Sequence, residues 1–250
     1  MPTILFGVLF YLCRLMAQKK LLRFAAIKTY PHVLEYPENM AGHWNAFFKN
    51  EHPVNLELAC GRGEYAVGLG RLFPQQNYIG VDIKGNRIYI GARQVMEEKL
   101  PNVAFLRTHI DKIAGYFSPG EVNDIWITFP DPQLRISRAK KRLTHPRFLR
   151  LYQNILTANG TIHLKTDSPD LYAFTKLVIK LYGLTLLEDD PDIYAQSEVP
   201  PALSIQTYYE KLDIAGSNRV HYLRFSLPSE PLPDLDKQLQ EIISAKEITR

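Results

Sequence analysis

Cysteine is nearly absent from this chain: Cys13 and Cys60 are the only two among 250 residues, and neither has a C-x-x-C partner. That excludes a disulfide framework and a cysteine-based zinc site, so no metal is expected, and it suits a reducing compartment, the cytoplasm. A long apolar run is missing too. Thr3–Cys13 (TILFGVLFYLC) is almost wholly apolar, but a bilayer span needs about 20 such residues. It also lacks the basic leader of a signal peptide, and Arg14 ends it abruptly. Met16-Ala-Gln-Lys-Lys then opens like a soluble basic arm. Residues 1–15 are therefore expected to be an upstream extension, with the working protein starting near Met16; a membrane-surface anchor is the rival reading. Acid is missing from one place: between Leu134 and Arg150 there are seven Lys/Arg and no Asp or Glu. With a net charge of only +4, the basicity is local. A cationic strip of this kind suits a polyanion such as nucleic acid, although a charge run alone is more often a solvated loop.

The remaining composition describes one soluble α/β domain. Apolar content is 46% and charged content 22%, both ordinary for a globular protein of this length. Lys19, Lys20, Arg23 and Lys28 form a mobile basic arm, a candidate further phosphate contact. Trp44, Phe47 and Phe48 form a short helix packed on the α/β domain; arm and helix together make residues 16–50. From Val54 strands and helices alternate. Strands are expected at Val54–Cys60, Asn77–Ile83, Val103–His109, Ile125–Phe129, Thr161–Thr166, Leu184–Glu188 and His221–Leu227. Helices fall at Glu64–Leu72, Gly85–Leu100, Pro146–Thr157 and Ser168–Tyr182, the last with Ser168 as N-cap and Pro169 at the first helical position. Such alternation implies a doubly wound, mostly parallel sheet over residues 51–228, with ligands at the carboxyl ends of the strands. Residues 229–250 read as a linker and a terminal helix.

Two stretches carry chemistry. In Glu57-Leu58-Ala59-Cys60-Gly61-Arg62-Gly63 the glycines let the backbone approach a ligand, and the helix behind them offers free N–H groups. Asp82 lies about twenty residues on, where an acid holds a ribose in dinucleotide folds. Glu57 on the first strand would repel a pyrophosphate but suits a cationic amino-acid moiety, which tilts the reading toward S-adenosylmethionine. The second stretch is Asp124–Arg150, DIWITFPDPQLRISRAKKRLTHPRFLR. It begins as a buried strand, and Pro130 and Pro132 then hold Asp131 on a stiff turn ahead of the cations.

ELACGRG, VDI, TFPDP followed by KKRL, LKTD and the late TYYE together resemble bacterial tRNA (guanine-N7-)-methyltransferases over roughly Lys20 to Leu227. The resemblance implies a class I SAM-dependent (Rossmann-like) methyltransferase fold, a seven-stranded mostly parallel sheet with helices on both faces and its last strand antiparallel. It implies S-adenosylmethionine as donor, tRNA as partner and N7 of the variable-loop guanosine, position 46, as acceptor. Glu57, Gly61, Gly63, Asp82 and Asp131 would bind the cofactor. His109 would do so at a position where the family usually has Asp. Arg135, the triplet Lys140-Lys141-Arg142, Asp167 and Thr207-Tyr208-Tyr209-Glu210 would contact RNA. Gln133 replaces the usual Trp after FPDP, and Ser137-Arg138 the usual Arg-His pair, so a stacking surface and one cation are missing. Asp131 is expected at the boundary between donor and acceptor, with Asp167 or Glu210 reading the guanine edge. The chain is expected to work as a monomer, with a homodimer the alternative. Three rival functions stay open: a tRNA binder without turnover, a methyltransferase for a small molecule or a protein, and, least favoured, a nicotinamide dehydrogenase.

Overall fold

The computed structural model describes residue 18 and residues 20–212 and 216–248; the expectations for residues 1–15 and Lys19 lie outside them. The elements in chain order are helix α1 (20–27), β1 (Val33–Glu35), α2 (Trp44–Phe48), β2 (Val54–Leu58), α3 (Glu64–Leu72), β3 (Asn77–Asp82), α4 (Gly85–Glu98), β4 (Val103–Arg107), β5 (Val122–Thr128), α5 (Pro146–Gln153), β6 (Leu156–Thr166), α6 (Pro169–Leu181), β7 (Thr185–Asp190), α7 (Pro201–Ser204), β8 (His221–Ser226) and α8 (Asp236–Ile248).

The sheet has eight strands in the order β1-β4-β3-β2-β5-β6-β8-β7. Seven match the expected core, and β8 runs antiparallel to both its neighbours. The eighth, β1, adds to the edge parallel to β4. The central strands are hidden on both faces, as parallel strands flanked by helices must be. Their alternate residues feed two cores. Leu56, Leu58, Ile79, Val81, Ile125 and Ile127 pack with α2, α5, α6 and α8, whereas Tyr78, Phe105, Trp126 and Tyr222 pack with α3 and α4.

Two expectations are corrected. The basic arm is helical over residues 20–27, and Ile27 is fully buried. Phe24 and Ile27 close so tightly on Gly85 that a Cβ there would lie 2.7 Å from Ile27 Cδ1. The predicted helix to Thr157 and turn at Ala158-Asn159-Gly160 are also displaced. Helix α5 ends at Gln153 and β6 starts at Leu156. Its ladder jumps from Val122↔Leu156 to Asp124↔Thr161, which loops residues 157–160 out of the pairing.

Candidate functional site

Chain order reverses between β2 and β5, because β3 and β4 lie on one side of them and β6 on the other. Ligands of open α/β sheets bind in the crevice at such a switch point, outside the carboxyl ends of the strands. The turns 59–63 and 129–133 meet there. Gly61 and Gly63 both have positive φ, +56° and +74°. A Cβ on Gly63 would stand 2.3 Å from the Phe105 ring, so no side chain fits. Gly61 N–H donates to Asp82 Oδ2 (2.9 Å), and Lys84 N–H donates to Oδ1 (2.8 Å). Asp82 thus fixes the turn and its own strand end together. Glu57 sits behind the turn, buried. Its Oε2 accepts from Ala66 N–H (2.9 Å), and its Oε1 from the Thr128 hydroxyl (3.1 Å). Burial pushes its pKa up to about 8, because desolvation disfavours the charged form.

Beside this turn lies a cavity of about 340 Å³ lined by Asp82, Ile83, Thr108, His109, Lys141 and Phe148, among others. It brings three predicted site residues together: Asp82, His109 and Lys141. Lys141 lines this cavity and is exposed.

Asp131 is exposed at the mouth of β5. Its Oδ1 accepts from Gln133 N–H (3.0 Å), and left-handed Phe129 (φ +46°) and Gln133 (φ +47°) bracket it. The turn is therefore stiff, as its prolines imply. The basic segment after it is not uniform. Arg135, Arg138, Lys140 and Lys141 are exposed. Arg147 pairs with Asp111 and Arg150 with Asp236. Arg142 departs from the expected phosphate contact. It is buried and donates to the carbonyls of Pro132 (3.2 Å), Gln133 (3.2 and 3.3 Å) and Leu134 (3.4 Å). Its guanidinium lies 4.4 Å from the Phe174 ring centroid. Arg142 holds the Asp131 turn from beneath.

The Thr207–Glu210 run closes on the glycine turn from the other side. Glu210 N–H donates to Thr207 Oγ1 (3.0 Å) and Thr207 N–H to Glu210 Oε2 (3.2 Å), a reciprocal capping box. Glu210 also accepts from Lys165 Nζ at 3.1 Å and from the Tyr194 hydroxyl. Tyr208 lies under the Arg62 guanidinium, 3.3 Å from its ring centroid, and Tyr209 lies beneath Arg87. Asp167 is half-buried at the end of β6, with its carbonyl accepting from Ser217 Oγ (2.9 Å). Among the described residues no cluster of three or more His, Cys, Asp or Glu could hold a metal ion, and no helix is long and apolar enough to cross a membrane.

Residues 51–219 match the family described as "Putative methyltransferase". The sequence is 44% identical over 236 residues to the tRNA (guanine-N(7)-)-methyltransferase of Bacteroides fragilis (strain YCH46), covering 90% of this chain and 93% of that one. It is 47% identical over 213 residues to the protein of that name from Porphyromonas gingivalis (strain ATCC BAA-308 / W83), covering 80% and 86%. The chain belongs to the tRNA (guanine-N(7)-)-methyltransferase family. The fold is also that of the 16S rRNA methyltransferase KamB, with a TM-score of 0.59 at 13% identity over 79% of this chain and 99% of that chain.

Within this tRNA (guanine-N(7)-)-methyltransferase fold, Lys165 is a residue behind the site that reading the sequence does not single out. It was legible only as part of LKTD, yet it is fully buried and joins β6 to residues 203–210. A signal for its partner was present. Thr207-Tyr208-Tyr209-Glu210 fits the [ST]-x-x-[DE] pattern of a capping box, which predicts that Glu210 turns back on its own backbone.

Proposed function

We propose that this chain transfers the methyl group of S-adenosylmethionine to N7 of a guanosine in tRNA, at position 46 of the variable loop. The observation that carries this reading is the 44% identity, over nearly the whole of both chains, to an enzyme of that name. The crevice supports it chemically. When bound, S-adenosylmethionine supplies an electrophilic methyl on a sulfonium. An acid at a strand end beside a cavity suits its ribose: each Asp82 oxygen already takes one N–H and keeps a second lone pair. His109, lining the same cavity, offers a hydrogen-bonding edge to adenine in place of the family's carboxylate. Glu57, with both oxygens engaged, holds the turn.

Guanine N7 has a lone pair and no proton, so the chain needs no general base. Its task is to position two reactants. Asp131 is the exposed carboxylate nearest the switch point along β5, and it suits the positive charge that develops on the purine. Asp167 and Glu210 are the candidates for the guanine N1–H and N2–H₂ edge, and Glu210 already accepts from Lys165 and Tyr194. Variable-loop guanosine is partly buried in folded tRNA, so the base must be drawn out while the exposed cations hold phosphates. A tRNA substrate and scarce cysteine support a cytoplasmic setting.

Incubation with labelled donor and unmodified tRNA, followed by mapping of N7-methylguanosine, tests the reading; label on another base or another RNA overturns it. Asp131→Ala should lower turnover on the order of a hundredfold with a small loss of tRNA affinity. Intact turnover would remove Asp131 from the site.

A further inference from the structure

We propose that Lys165 is a positioning residue that latches residues 203–210 over the glycine turn, so that retention of the methyl donor depends on a side chain that contacts neither reactant. This deepens the methyl-transfer reading and rests on it. Lys165 stands on β6 opposite Thr128 of β5, and Thr128 donates to Glu57 on β2. A polar row thus crosses three adjacent strands just below the crevice. The Lys165 side chain has no exposed surface. Its ammonium donates to Leu203 O (2.8 Å), Ile205 O (2.9 Å) and Glu210 Oε2 (3.1 Å), with the Tyr194 hydroxyl at 3.3 Å. The Tyr65, Phe129 and Tyr194 rings lie 5.4 to 5.6 Å from Nζ, within cation–π range.

The three shortest of these bonds end on one segment. Residues 201–204 form the single turn of α7, Glu210 opens a 3₁₀ turn, and none of residues 201–210 joins the sheet ladder. Leu203 and Ile205 pack against α3, and the lysine supplies the polar bonds that tie the segment to β6. That segment in turn covers the glycine turn. A Cβ on Gly61 would touch the Tyr209 ring at 3.3 Å, Arg62 stacks on Tyr208, and Tyr208 N–H donates to Glu64 Oε1 (3.3 Å). On its other side Lys165 accepts from Phe129 N–H through its backbone carbonyl (2.8 Å), at the start of the turn bearing Asp131. One residue therefore ties together both loops that flank the crevice. Glu210 is tied up by it. For that carboxylate to read guanine, a buried ammonium would be left unpaired, which is costly.

The test uses the full chain with Lys165→Met, Glu210→Gln and the double variant. The readouts are the S-adenosylmethionine dissociation constant by calorimetry, the KM for each substrate, and Tm. Lys165→Met should weaken donor binding tenfold or more, with the KM for tRNA and kcat at saturating donor within about threefold of the parent. Glu210→Gln should move the same constant, and the double variant should be no worse than Lys165→Met. Removal of a buried ammonium can unfold the domain, so Glu210→Gln also serves alone: amide exchange should quicken over residues 203–212 and stay unchanged in α6. Glu210→Gln raising the KM for tRNA while leaving donor affinity intact would make Glu210 a base reader and overturn the latch. So would unchanged exchange. A parent chain that binds donor but fails to methylate tRNA would sink the functional reading instead, and donor affinity would still test the latch.

Discussion

A single buried carboxyl shows how much a side chain's role depends on its surroundings. Glu57 is legible in the sequence as an acid ahead of a glycine turn. Its two partners are not, because Ala66 N–H depends on where α3 starts and Thr128 on the β2–β5 register. Unfolded, the group ionises near 4.5; folded, burial pushes it to about 8. Between those values the unfolded chain binds fewer protons than the folded one, so this residue lowers stability as pH rises through that window. Glu57→Gln keeps the shape and removes the proton. The Tm of the variant relative to the parent should therefore rise steadily from pH 5 to pH 8, and a constant difference would reject a protonated Glu57. A cation arriving near the turn favours the ionised form. Donor binding at pH 7 is accordingly expected to release a proton, measurable by calorimetry in buffers of different ionisation heat. Identical heats in all buffers would mean that Glu57 does not sense the donor.

At the scale of elements, local punctuation was legible and distant partnership was not. Ser168-Pro169 announces α6, and the Ser168 hydroxyl does accept from Leu171 N–H (3.2 Å). Strand alternation located the seven core strands to within a few residues. β1 escaped because it has only three residues, and α1 because its seat includes Gly85, far along the chain. Ala158-Asn159-Gly160 looks like a turn but is part of the looped-out stretch of β6. Helix α5 adds a cap with a pH signature. His145 Nδ1 accepts from Arg147 N–H (3.1 Å), which requires a neutral ring, and burial pushes the pKa down to about 4. An unfolded histidine takes up its proton near 6.5. Below that pH the unfolded chain gains a proton that the folded one refuses, so stability falls as pH drops from about 6.5 toward 4. His145→Asn keeps an acceptor and should flatten this part of the Tm curve. His145→Ala should cost about 1 kcal/mol for the cap, plus whatever its stacking on Phe174 contributes; equal acid sensitivity in the Asn variant would refute the assignment.

Across the whole molecule the deciding quantity is where charge remains free. The sequence shows seven cations in one strip but not which of them folding consumes. Arg147 meets Asp111 from 36 residues earlier and Arg150 meets Asp236 from 86 residues later, and Arg142 spends its guanidinium on three carbonyls of a neighbouring loop. Arg135, Arg138, Lys140 and Lys141 stay exposed, and Lys141 turns to the cavity. The footprint for a polyanion is thus smaller than the strip, and it borders the crevice where Asp131 stands. Binding that neutralises phosphates releases counterions, so log K falls with log salt by roughly 0.7 to 0.9 per contact. Neutralising Arg135, Arg138 or Lys140 should flatten that slope by about this amount each, with Tm unchanged. Arg142→Met should do the reverse: it leaves the slope alone, because that charge never reaches solvent, and it lowers both Tm and turnover, because the Asp131 turn loses its clamp. A flattened slope for Arg142→Met, at full stability, would mean that the guanidinium leaves its carbonyls for RNA and that the turn is held by its prolines alone.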